Sequence, residues 1–146
     1  MSQSPALKKS YTVMIVEDDP GVATMLETML RDHFKCHTVV TTNGFSALGI
    51  TFESVPDLIL ADLHLPVLDG FEVIRCLKNH PVLHRVPIVA LSNYPWDFDW
   101  EKRALEAGCD KCSHKQFSVT EMGDLLRELL ESEGAAAQSR ARRRNQ

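Results

Sequence analysis

Short apolar runs alternate with amphipathic segments along most of the chain, and the alternation predicts strand and helix in strict succession. Tyr11 to Val16 (YTVMIV) is apolar and β-branched and stops abruptly at Glu17, Asp18 and Asp19, as a buried strand does. Pro20 then opens a helix whose apolar residues Val22, Met25, Leu26, Met29, Leu30 and Phe34 fall on one face. The alternation continues through a strand at Cys36 to Thr41, a helix at Asn43 to Glu53 with Phe45, Leu48 and Phe52 inward, and a strand at Asp57 to Ala61. After the loop LHLPVLDG come a helix at Gly70 to Asn79, a strand at Val86 to Leu91, a weaker helix near Asp97 to Ala107, and a short strand at Asp110 to His114. Ser118 and Glu121 are spaced as a capping box for a last helix, whose buried stripe is Met122, Leu125, Leu126 and Leu129.

Five strand–helix units imply right-handed crossovers and a parallel sheet covered by helices on both faces, an α/β fold. Sheets of this kind carry their functional groups beyond the carboxyl ends of the strands. At those ends stand Glu17, Asp18 and Asp19, then Asp62, then Ser92, then Lys115.

Composition narrows the class. A chain of 146 residues, 44% hydrophobic, suffices for one domain with a real core and leaves no room for a second. The absence of an apolar run near about 18 residues, the polar start MSQSPALKKS and four cysteines predict a cytoplasmic protein with reduced thiols, neither secreted nor inserted in a membrane. Of the 16 basic residues, four (Arg140, Arg142, Arg143 and Arg144) fall in 135–146, which holds no acid, so residues 1–134 carry 12 bases against 20 acids, net -8. An acidic body is a poor match for a nucleic-acid backbone, and no nucleic-acid partner is expected. Residues 1–10 read as a flexible start and residues 133–146 as a disordered basic tail.

Carboxylates gathered from two neighbouring strand ends repel one another, and a hard cation with oxygen ligands, such as magnesium, is the simplest compensation. Magnesium keeps open positions for phosphate oxygens. Ser92 and Lys115 can then hold two phosphoryl oxygens as charge builds up, which leaves Asp62 as nucleophile.

The fragments VEDDP, LILADLHLPVLDGFEVI, VALSN and SHKQF stand in the order and approximate spacing of response-regulator receiver domains, and the chain resembles that family from Tyr11 to Leu130. The resemblance implies a receiver domain over 11–132, with a flavodoxin-like sheet of order 2-1-3-4-5. It implies Asp62 as phosphoacceptor, Glu17 and Asp18 as the acidic pair holding magnesium, the carbonyl of His64 as a further metal ligand, Ser92 as the switch hydroxyl and Lys115 as the family's lysine. It further implies phosphotransfer from a sensor histidine kinase or a histidine phosphotransfer protein, and a shape change read by a downstream protein. With the chain ending about fifteen residues after the last helix, no attached output domain is expected; a phosphorylation-dependent homodimer through the helix 4, strand 5, helix 5 face is left open.

Three positions depart from the family pattern. Gln116 replaces a proline usual after the lysine, where the family has a cis bond that costs a non-proline residue about 3 kcal/mol. Cys112 stands where an aromatic residue is common, and Asn93 where a small one is. Other features have plain structural readings. Asp19 caps the helix opened by Pro20, and Asp69 is a turn or cap residue. Cys109 and Cys112 form a C-x-x-C near His114, a spacing that raises zinc or redox chemistry, but residues three apart on a strand point to opposite faces. Cys36 and Cys76 read as core filler, and the histidines as surface residues. Tyr94, Pro95, Trp96, Phe98 and Trp100 form either an exposed docking patch or packing against the neighbouring helix.

Two other functions compete. A haloacid-dehalogenase-type phosphatase also combines Asp, Ser, Lys and magnesium, but places an acid two residues after its nucleophile, where this chain has His64, and needs a cap domain. A pseudo-receiver would keep the fold as a binding module and never use phosphate.

Overall fold

The computed structural model describes residues 6–49, 55–65, 69–93 and 99–132, without the side chain of Phe45. Among the described residues, strands and α-helices follow one another as β1 (Thr12–Val16), α1 (Pro20–Phe34), β2 (His37–Thr41), α2 (Gly44–Gly49), β3 (Leu58–Asp62), α3 (Gly70–Lys78), β4 (Ile88–Ser92), α4 (Trp100–Ala107), β5 (Lys111–His114) and α5 (Val119–Leu130), with a short 3-10 helix at Leu83–Arg85 before β4. The five strands form one parallel sheet in the order β2-β1-β3-β4-β5. The α/β expectation and its strand order hold.

Strand side chains alternate between two cores. Met14, Val16, Ile59, Ala61, Ile88 and Ala90 face α2, α3 and α4, whereas Val13, Ile15, Leu58, Leu60, Val89 and Leu91 face α1 and α5. Strands β3 and β4 are buried at every position, so their sequences are continuous apolar runs. The edge strands β2 and β5 are partly exposed and more polar.

Helix starts follow their caps. Asp19 accepts hydrogen bonds from the backbone N–H groups of Gly21 (2.8 Å) and Val22 (3.2 Å) ahead of Pro20, Asp69 accepts one from Glu72 N–H (3.0 Å), and Ser118 with Glu121 completes the capping box. Both aspartates are thus helix caps, as read from the sequence.

Two packing expectations are corrected. Met25 is exposed because it lies about 100° round the helix from Leu26, beyond the edge of the buried stripe Ala23, Leu26, Leu30 and Phe34. Cys76 is exposed rather than core, since Val73, Ile74 and Leu77 already define the inward face of α3; Cys36 is buried as expected. The expected second helix reached Glu53, but residues 50–54 and the Phe45 side chain lie outside those described, as do 94–98 and the basic tail. No helix among the described residues is long and apolar enough to cross a membrane.

Candidate functional site

The sheet brings the sequence-predicted residues to its carboxyl edge. Glu17 continues β1 by one residue, its N–H donating to Thr41 O at 2.9 Å; Asp62 ends β3, Ser92 ends β4, and Lys115 follows β5. Glu17, Asp62, Ser92 and Lys115 are buried, whereas Asp18 is exposed. One carboxylate oxygen from each of Glu17, Asp18 and Asp62 lies within 4.8 Å of the other two.

A tight approach fixes Asp62 in place. A Cβ on Gly70 would lie 2.3 Å from Leu63 Cα and 2.4 Å from Asp62 O, so only glycine lets α3 begin directly against the end of β3. Gly70 N–H donates to Leu63 O at 3.0 Å, and His64 N–H donates to Asp62 Oδ1 at 3.0 Å. The backbone thereby holds one carboxylate oxygen, while the other, Oδ2, is also buried.

Lys115 Nζ lies 2.9 Å from Glu17 Oε1 and 3.1 Å from Asp62 Oδ1. Burial opposes the charge on this ammonium, but the Glu17 and Asp62 carboxylates together hold its pKa above the ordinary lysine value. Burial, reinforced by the Asp62 carboxylate and partly offset by Lys115, pushes Glu17 up to about 7. One buried ammonium against two buried carboxylates leaves negative charge in excess, and exposed Asp18 adds to it. Among the described residues, the buried Asp62 Oδ2 accepts no hydrogen bond and Glu17 Oε1 has only its ion-pair contact with the lysine. A buried Asp62 oxygen that accepts no hydrogen bond among the described residues, with the Glu17 and Asp18 carboxylates converging beside it, suits a hard divalent cation.

The lysine reaches both acids although Gln116 follows it, and no peptide bond among the described residues is cis. The His64 imidazole was missed by sequence reasoning: its Nε2 lies 3.3 Å from Ser92 Oγ, so the residue two beyond Asp62 covers the β4 hydroxyl. Of the aromatic cluster, Trp100 packs in the core and its ring meets that of His114 edge-on, which settles the packing reading for that residue. The sulfur atoms of Cys109 and Cys112 lie 3.6 Å apart, against the expectation that they diverge. The strand begins only at Lys111, so Cys109 sits in the turn before it and strand alternation does not apply.

Residues 13–137 match the sequence model of the response regulator receiver domain. The chain belongs to that family. It is 33% identical over 122 residues to the polar-differentiation response regulator DivK of Brucella anthropi, covering 82% of this chain and 95% of DivK. The receiver domain of a Pseudomonas aeruginosa sensor histidine kinase, with a magnesium ion coordinated in its active-site cleft, superposes with a TM-score of 0.76 at 30% identity, covering 85% of this receiver chain and all (100%) of that one. The beryllofluoride-activated N-terminal receiver domain of Klebsiella pneumoniae RstA gives 0.73 at 30% identity, covering 83% and 99%.

Proposed function

We propose that this receiver is a single-domain response regulator that accepts a phosphoryl group on Asp62 and passes the signal to a partner protein by a change of shape. The observation that carries the proposal is the ammonium of Lys115 held between Glu17 and Asp62, beside a buried Asp62 oxygen that accepts no hydrogen bond among the described residues. DivK, matched over 95% of its length, supports the single-domain reading.

Each residue has a distinct task. Glu17, Asp18, Asp62 and the His64 carbonyl would hold magnesium, and the magnesium-containing relative supports that choice of metal. When bound, the ion supplies positive charge that offsets the charge on the phosphoryl oxygens. Asp62 attacks the phosphorus of a phosphohistidine on a sensor histidine kinase or a histidine phosphotransfer protein; the P–N bond breaks, the histidine departs, and an acyl phosphate forms. Lys115 pairs with one phosphoryl oxygen and Ser92 donates its hydroxyl to another. Ser92 now faces the His64 imidazole, so engaging phosphate requires the hydroxyl to turn and draws the end of β4 with it. The chain acts as a phosphoacceptor rather than as an enzyme on a separate substrate, in the cytoplasm where its donors present their phosphohistidines.

Incubation with magnesium and a small phosphoryl donor, followed by borohydride reduction, tests the assignment. Conversion of residue 62 to homoserine supports it. A protein that remains unmodified under conditions that phosphorylate a known receiver rejects it, and reduction at another carboxylate relocates the acceptor.

A further inference from the structure

We propose that Cys109 and Cys112 form a reversible intramolecular disulfide when the protein meets a peroxide. The two sulfurs, both free thiols, lie 3.6 Å apart, and modest side-chain rotation closes that gap to the about 2.05 Å of an S–S bond.

The turn that carries them is held from several sides. Gly108, at φ 117°, ends α4 in a left-handed conformation, and Cys109 N–H donates to Ala104 O at 3.1 Å. Asp110, between the two cysteines, donates its N–H to Ile88 O at 2.8 Å. Its Oδ2 accepts from Lys78 Nζ and from Ile88 N–H, both at 2.9 Å. Cys112 is fixed in turn by its place opposite Ala90 in the β4–β5 ladder. The sulfurs are therefore brought together by backbone that would keep its position on oxidation.

Their environments differ in a way that divides the labour. The hydrogen bond with Cys112 holds the Cys109 thiol below its ordinary range, and the same contact, with burial, pushes Cys112 up. Cys109 is buried and open only to a small oxidant, whereas Cys112 is partly exposed. The Cys109 thiolate attacks one oxygen of the peroxide, the O–O bond breaks, and the departing hydroxide takes up a proton to leave as water, giving a sulfenic acid. Cys112 sulfur then attacks Cys109 sulfur, loses its proton, and the hydroxyl leaves as a second water. Two thiols and one hydrogen peroxide become one disulfide and two waters, and a dithiol reductant reverses the change. Cys112 Sγ also lies 3.7 Å from the Glu101 carbonyl in the first turn of α4, so closing the bond draws it off that helix.

The test treats the full chain with stoichiometric hydrogen peroxide, alkylates it under denaturing conditions and digests it with trypsin. Cleavage after Lys111 separates the two cysteines, so the disulfide links ALEAGCDK to CSHK until dithiothreitol is added. The expected result is loss of two of the four alkylatable thiols, with that linked pair as product. The loss should persist in a Cys36→Ala, Cys76→Ala double variant and in Asp62→Asn, which makes it independent of phosphotransfer. Cys112→Ser should leave a sulfenic acid on Cys109 that dimedone captures, with the native circular dichroism spectrum showing that the variant is folded. Four thiols still alkylatable after treatment, a cross-link involving Cys36 or Cys76, or direct conversion of Cys109 to sulfinic acid in the unaltered chain would overturn the proposal.

Discussion

Lys115 Nζ lies 3.1 Å from Asp62 Oδ1, although Lys115 follows β5 and Asp62 ends β3, strands that are not neighbours in the sheet. Strand β4 separates them, so the contact exists only because the lysine reaches across the carboxyl end of that strand. Its shared contact with Glu17 makes the ammonium the one positive charge buried with the acids among the described residues.

Replacing Lys115 with methionine keeps the apolar stem and removes the charge. Two buried carboxylates then lose their counter-ion, a loss that costs about 3 kcal/mol where a buried pair is broken. Urea denaturation without divalent cation should show a drop of that order, and magnesium should restore more stability to the variant than to the parent. Equal stability of the two proteins without metal would mean that the lysine does not neutralise the acids.

Gly70→Ala places a methyl group 2.3 Å from Leu63 Cα. Relief requires the start of α3 to move away from Asp62, with overpacking costs of about 1–3 kcal/mol. Thermal denaturation should show this loss, and magnesium titration a weaker affinity, because the Asp62 turn moves with it. An unchanged affinity would show that the glycine serves packing alone.

Tyr11 O–H donates to Glu131 Oε2 at 2.7 Å, tying β1 to the end of α5. Burial, then the hydrogen bond and charge of Glu131, raise the Tyr11 pKa well above its ordinary 10.0. An acid whose folded pKa is raised contributes its stability in full below the unfolded value and loses it as pH climbs from there toward the folded value. Tyr11→Phe should therefore cost about 1 kcal/mol at neutral pH, and the difference between the proteins should shrink as pH rises above 10.0, a trend denaturant melts at stepped pH will follow.

Much of this was legible in the sequence because parallel strands buried on both faces read as short apolar runs, and because each run ends on a charged or hydroxylic residue. Glu17, Asp18, Asp62, Ser92 and Lys115 could be named from strand ends alone. The pattern said less where one residue decides between faces: Met25 and Cys76 sit just off the buried stripes of their helices. It failed at Cys109 and Cys112, since their proximity depends on a strand that starts two residues later than Cys109. The His64 contact with Ser92 joins the loop after β3 to the end of β4, and no local pattern records it.

The proposed site for a phosphoryl group consists of Asp62 together with a divalent cation. Beryllofluoride mimics that group on a carboxylate, so calorimetric titration with beryllofluoride in the presence and absence of magnesium reads the site directly. Binding should need magnesium and be lost in Asp62→Asn, with the variant still folded. Binding that survives in Asp62→Asn, or no binding by the parent protein with magnesium present, would contradict this assignment and leave the fold serving as an interaction module that never uses phosphate.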